Sequence, residues 1–548
     1  MMAGDRRGPA SSVEEEERMG RMRDVTPEIR TIAEIPFVHA RQRGKKIALV
    51  TDRGESLSYA ALDERARCFA AFLRSLGPGD GERVAILLPN VPEFVVSYFG
   101  TIAAGQVAVP VNYRLSPPEV GYILSDCGAR VTVTTAEQYR KIAGCGESGG
   151  VATWVLIDEE IPGKAVMFAH ALDRPPCAAP AAADPDDVAC LMYTSGTTGY
   201  PKGAILSHRN KMFNVDSCRA TLGYCDRDIG LVSIPLFHAT GLHSQLVALL
   251  ACGGTVVLQR EYDTRSVLEL ISTHKVTALF FVPAIYKLIS LRKDLADYDL
   301  SSVRVAAYGG APMDGETINA LRGIFRAELH NAYGLTECTS LATVLPACLA
   351  LSHADSVGLP VPGVDAEVRG PSGEALPRGE AGELYLRGPN IVKGYFCAPE
   401  KTREAFLGGW LNTGDVARID ADGLVCILDR VKDMINRGGE KIFGLEVENV
   451  LYAFPGVAEA AIVGVPHPVF GEVPVAFMVP MPSERIDPDK VRDFCRTRLA
   501  DFKVPVEVRL TDKLPRNPGG KVVKQQLKRQ WMENERKAKL AERVIGIE

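Results

Sequence analysis

No two cysteines in this chain stand close enough to form a C-x-x-C motif, although it holds thirteen of them. That excludes zinc ribbons and paired redox thiols. Single cysteines among apolar neighbours suit a reduced compartment, where they act as small core residues. Long hydrophobic runs are also missing. Stretches such as TALFFVPAIY (Thr277–Tyr286) end well short of a membrane span. A net charge of −5 provides no basic surface, so nucleic acid is excluded as a first guess for a partner. Internal repeats are absent. The first residues mix charges of both signs and lack an apolar h-region, so residues 1–25 are expected to be a flexible leader rather than a targeting peptide. The final ERVIGIE carries no peroxisomal, retention or lipidation ending, and a cytoplasmic protein is the expectation.

What the chain does have is length and alternation. At 548 residues it exceeds one core. Short β-rich runs (RVAILLPN, VTVTT, TWVLID, VACLMYT, IGLVSIP, GTVVL, TALFFV, VRVAAYG) alternate with helix-length segments, a pattern that predicts parallel sheets covered by helices. After about Val357 short strands and turns take over (DAEVRGPSGE, GELYLRG, DGLVCILDR), predicting a compact β subdomain over residues 357–429. Composition shifts again past Arg430, and IDPDKVRDF predicts a helix with Asp487 as N-cap and Pro488 at its first position. The expected fold class is therefore α/β: a large N-terminal domain (26–429) of parallel helix-covered sheets with that β subdomain, then a small mobile α+β domain (430–548).

One loop stands out chemically. YTSGTTGYPKG (Tyr193–Gly203) is too rich in glycine for a helix and too polar for a core. Gly196 and Gly199 let backbone N–H groups turn inward. Thr194, Ser195, Thr197 and Thr198 add hydroxyls, and Lys202 adds a point charge, together making a nest for phosphate oxygens. It is not a Walker A loop: two residues separate the glycines rather than four, and Gly203 follows Lys202 where a magnesium-binding hydroxyl would stand. The spacing of the dinucleotide fingerprint fails too. VACLMY enters the loop as a strand, and Ser207 is placed to cap a helix beginning SHRNKMF.

The loop resembles the signature of the acyl-adenylate-forming superfamily. NAYGLTE (Asn331–Glu337), LNTGD (Leu411–Asp415), DRVKDMINRGGEKI (Asp429–Ile442) and LPRNPGGKV (Leu514–Val522) also match it, in order, across nearly the whole chain. The resemblance implies an acyl-CoA synthetase using ATP, Mg2+ and coenzyme A. A carboxylate attacks the α-phosphorus of ATP, releasing pyrophosphate; a thiol then attacks the acyl-adenylate, releasing AMP. Both partners of the first step are anionic, so charge must be neutralised and the attack held in line.

By resemblance Lys521 bridges the carboxylate and the α-phosphate; in its bare local setting it reads as a surface lysine on a basic stretch. Asp415 suits the ribose hydroxyls, since a carboxylate accepts from both, although an aspartate after glycine also stabilises turns. Arg430 assists it. Thr336 is a contact to the α-phosphate, Glu337 a hard-oxygen ligand for magnesium, and Tyr333 a face for adenine or a core tyrosine. Asn331, Ala332 and Gly334 accompany them, and the turn Gly310, Ala311 and Pro312 closes the other side of the adenine slot. Asp429 is the hinge about which the small domain alternates between half-reactions. Gly438 and Gly439 then approach the pantetheine arm of CoA or serve simply as a turn.

PLFHATGLHSQLVALLACGG (Pro235–Gly254) resembles the segment lining the acyl pocket, with His238 either gating it or packed in the core beside Phe237. Val282, Tyr308 and Gly309 are further pocket candidates. An α-amino acid is disfavoured, because His238 stands where amino-acid-activating relatives usually place an aspartate. The apolar walls favour a medium- or long-chain fatty acid. The alternatives are an aryl or cyclic acid, or delivery to a carrier-protein phosphopantetheine. A homodimer is admitted.

Overall fold

The computed structural model describes residues 29–77, 81–146, 149–194, 201–311, 313, 315–481, 484–516 and 522–545, so the expected leader lies outside the described residues. Among these residues the N-terminal domain contains two large sheets. One has a parallel centre running Glu328–Tyr333, Val305–Gly309, Ala278–Phe281, Ile229–Val232, Thr255–Leu258 and Ile47–Thr51, with antiparallel strands at its margins. The other runs Val166–Met167, Thr153–Leu156, Val131–Thr134, Arg83–Leu87, Val107–Pro110 and Val188–Thr194, all parallel, and closes on an antiparallel strand, Lys202–Ser207. Helices cover both sheets, which is why the central strands are runs of valine, isoleucine, leucine and alanine rather than alternating patterns.

That last strand is not among the expected ones. Thr194 faces Lys202 and Tyr193 faces Gly203, so the segments that flank the glycine-threonine stretch pair with one another as antiparallel strands. The helix His208–Leu222 then begins where expected: Ser207 accepts from the Asn210 amide at 3.2 Å, and Asn210 Oδ1 accepts from the Ser207 amide in return.

The strands Asp365–Arg369, Ala381–Arg387, Trp410–Ile419 and Val425–Arg430 form an antiparallel sheet. Val368, Leu384, Leu386, Leu411 and Ala417 belong to the same apolar core as the large sheets. The smaller C-terminal domain has cores of its own: Ile435, Val447, Leu451, Ile462 and Val491 in one, Val463, Val475, Leu514 and Leu527 in another. Its helix Pro488–Arg496 starts on Asp487, which accepts from the Asp489 amide.

Candidate active site

The strand Glu328–Tyr333 delivers one edge of the site, lying beside Val305–Gly309 with Tyr308 facing Asn331 and Gly309 facing Ala332. Gly310 and Ala311 follow directly, so the turn expected to flank adenine does adjoin the Tyr333 strand end. Gly334 makes the next turn possible: a Cβ there would fall 1.8 Å from the Ser340 carbonyl oxygen. Asn331 directs its amide to the Ser356 carbonyl at 2.8 Å, bracing a loop, and Ala332 is buried.

Tyr333 donates to Asp415 Oδ2 at 2.5 Å, and Arg430 Nε lies 3.1 Å from Asp415 Oδ1. The pairing has a simple origin. Asp415 and Arg430 are cross-strand partners in the antiparallel sheet, and the Thr413 hydroxyl accepts from the Asp415 amide. Burial and the adjacent Asp415 carboxylate hold the Tyr333 phenol well above its ordinary pKa, so it acts as a donor. Burial likewise lowers the pKa of Lys432, two residues beyond Arg430.

Thr336 and Glu337 sit on a short turn, Thr336–Cys338, after Gly334. Glu337 Oε1 accepts from the Tyr395 hydroxyl at 2.8 Å, and the Lys202 ammonium lies 5.1 Å from the centroid of the same tyrosine ring. Main-chain bonds from Phe396 to Gly203 and from Ile205 to Gly394 lock this segment to the strand Lys202–Ser207. Tyr395 thus joins the loop lysine to the acidic residue. No motif marks Tyr395, and its role depends on partners remote in sequence, whereas Thr413 lies within LNTGD and acts on Asp415 two residues away. Among the described residues no group of three or more His, Cys, Asp or Glu side chains could hold a metal. A lone carboxylate beside a phosphate loop still suits Mg2+, which keeps most of its waters and takes phosphate oxygens. Ser195, Gly196, Thr197, Thr198, Gly199, Pro312 and Lys521 lie outside the described residues.

On the smaller domain Gly438 and Gly439 turn between the strands Ile435–Arg437 and Glu440–Ile442 with φ of +62° and +100°, which by itself accounts for glycine. Gly438 also lines an open cleft of about 400 Å³ with Arg437, Glu440, Phe470, Asp501 and Phe502. Asp429 is buried and accepts from the amides of Arg430 at 2.7 Å and Gly444 at 2.5 Å, joining the last β-subdomain strand to the helix Gly444–Tyr452.

In the segment expected to line the acyl pocket, His238 is half-buried with its ring 4.6 Å from that of Phe237, and a π-helix runs Thr240–Val247. Such helices recur at functional sites. Tyr308 is fully buried in the core with Phe281 and Tyr286, whereas Val282 is 40% exposed at the start of the helix Pro283–Ser290.

Residues 37–396 match the AMP-binding enzyme family, and residues 446–521 match the AMP-binding enzyme C-terminal domain. A feruloyl-CoA synthase of Amycolatopsis sp is 39% identical over 480 residues, covering 87% of this chain and 94% of that one. A long-chain-fatty-acid–CoA ligase of Mycobacterium tuberculosis is 35% identical, covering 87% and 93%. The crystal structure of an anthranilate CoA ligase in complex with anthranoyl-AMP superposes with a TM-score of 0.85 at 28% identity, covering 91% and 96%.

Proposed function

Because the chain belongs to the AMP-binding enzymes, and is an acid–thiol ligase using ATP and CoA, we propose that the acid it activates is an aryl acid of the phenylpropenoic type. The observation that carries this reading is a row of buried polar side chains behind the acyl segment. Ser244 donates to Ser340 at 2.8 Å, Asn214 Nδ2 lies 3.5 Å from Ser244, and the Leu341 amide donates to Asn214 at 3.2 Å. A long alkyl tail offers this row no hydrogen-bonding group, while a ring bearing oxygen substituents can exchange hydrogen bonds with it. The Amycolatopsis relative, named for an aryl acid, agrees. The fatty-acid reading is the rival, favoured by the apolar run Leu246–Ala251 that follows.

In this scheme the Tyr333–Asp415–Arg430 constellation orients the ribose, and the glycine-threonine loop with Lys202 draws charge from the β- and γ-phosphates. Lys521 brings the carboxylate to the α-phosphorus against their mutual repulsion. Glu337, steadied by Tyr395, would hold Mg2+, which when bound would supply charge neutralisation for the phosphates. The carboxylate oxygen bonds to phosphorus as the bond to pyrophosphate breaks. The CoA thiolate then bonds to the carbonyl carbon and AMP leaves. For that second step the small domain (430–548) turns about Asp429 and presents Gly438 and Gly439 to the pantetheine arm. The reading is tested by kcat/KM, from AMP release with ATP, Mg2+ and CoA, on a panel of phenylpropenoic and saturated fatty acids. At least a tenfold preference for the aryl acids is expected. A preference for dodecanoic or hexadecanoic acid overturns it.

A further inference from the structure

Lys211, in the first turn of the helix His208–Leu222, is 1% exposed. Its ammonium donates to the Tyr98 hydroxyl at 2.9 Å and lies 3.2 Å from each ring nitrogen of His243, with the Cys190 thiol also beside it. None of these partners is anionic. Burial holds the Tyr98 phenol and the Cys190 thiol above their usual pKa values and the His243 imidazole well below its own, so all three stay neutral. Among the described residues no carboxylate forms an ion pair with Lys211. Burial lowers its own pKa to about 8, which still leaves it mostly charged at neutral pH. A fold rarely retains a buried cation among neutral groups without a use for it, because methionine would pack there at no electrostatic cost.

Its position suggests the use. His243 lies on the π-helix of the acyl segment, and its Nε2 is 3.0 Å from Met192 Sδ. Met192 stands two residues before Thr194, at the mouth of the phosphate loop, a rise of about 7 Å along a strand. Ser244, next in sequence to His243, is bonded to Ser340, just past the Thr336–Cys338 turn. Lys211 therefore stands beside the polar row, one helical turn from Asn214 and bonded to the residue before Ser244.

We propose that Lys211, held by Tyr98 and His243, is a specificity-determining residue whose ammonium donates a hydrogen bond to an acceptor oxygen at the end of the substrate remote from its carboxylate. In an aryl acid that acceptor is a ring hydroxyl. The inference rests on the aryl reading above and adds the group that the site selects for. An acid lacking that oxygen leaves the buried ammonium without the partner it is built for, and sites of this kind reject the deficient analogue strongly.

The test compares kcat/KM for 4-hydroxyphenylpropenoic acid with that for the same acid lacking the hydroxyl. The wild-type enzyme is expected to favour the hydroxylated acid by about 100-fold, and Lys211→Met to bring the ratio within about threefold of one. A wild-type ratio at or below one overturns the proposal, and that measurement needs no variant, so it decides the matter even if Lys211→Met does not fold. A folded Lys211→Met that keeps the wild-type ratio also overturns it while leaving the aryl reading intact. If fatty acids are turned over and neither aryl acid is, the aryl reading itself fails and takes the Lys211 assignment with it.

Discussion

Asp415 accepts on one carboxylate oxygen from Tyr333 at 2.5 Å and pairs on the other with Arg430 at 3.1 Å. Each oxygen keeps a second lone pair, so the carboxylate is already oriented and can still receive two ribose hydroxyls. Tyr333→Phe removes one of the two constraints and leaves the ring in place. The expected result is a rise of about tenfold in KM for ATP, read by pyrophosphate exchange, since a hydrogen bond to a charged group is worth about 1.5 kcal/mol or more. An unchanged KM would mean that the hydroxyl has no part in holding Asp415. Asp415 and Arg430 were both legible as residues, because each lies in a motif. That they face one another was not, since cross-strand register is not written in either motif. Tyr395 was illegible altogether: it acts only by meeting Glu337 and Lys202, which lie far away in sequence.

Elements differ in how openly the sequence displays them. The buried strands show themselves as apolar runs, and the Asp487 and Ser207 caps are visible because capping depends on side chains near in sequence. Lys202–Ser207 was hidden, since a six-residue strand holding lysine, glycine and serine looks like the tail of a loop until its partner is known. The π-helix Thr240–Val247 has no residue signature either. Gly334 shows what an element boundary can require. Any side chain there meets the Ser340 carbonyl, and moving that carbonyl disturbs the Ser340–Ser244 bond beneath. Gly334→Ala is expected to cost about 2 kcal/mol or more in stability and to depress adenylation with every acid tested. A melting temperature equal to wild type would show that the turn can relax freely.

At the scale of the molecule, the apolar clusters of the smaller domain are its own, and Asp429 sits where its chain departs from the β sheet. Burial raises the Asp429 carboxyl to about 6, with Lys524 and the amides of Gly444 and Arg430 opposing the rise and Glu448 adding to it. In the unfolded chain an aspartate titrates near 3.9, so between about pH 4 and 6 the folded state holds the extra proton. Stability from this group therefore grows as pH falls through 6 and is lost above it. Relative to Asp429→Asn, the wild-type melting temperature is expected to gain about 1 °C between pH 7.5 and 5, measured by calorimetry. A difference between the two that does not move with pH would remove Asp429 from this account. The sequence by itself determined the chemistry available: a hydroxyl-rich glycine loop, an acid after Thr-Gly, an arginine at the strand's end, and five ordered motifs. These are legible because each is a short run of residue types in the chain. Only the tertiary structure decided which side chains meet: Lys211 with His243 across 32 residues and with Tyr98 across 113. The proposed selection of the acid lies in those meetings, because an uncompensated buried charge is a property of surroundings and no single stretch of sequence contains them.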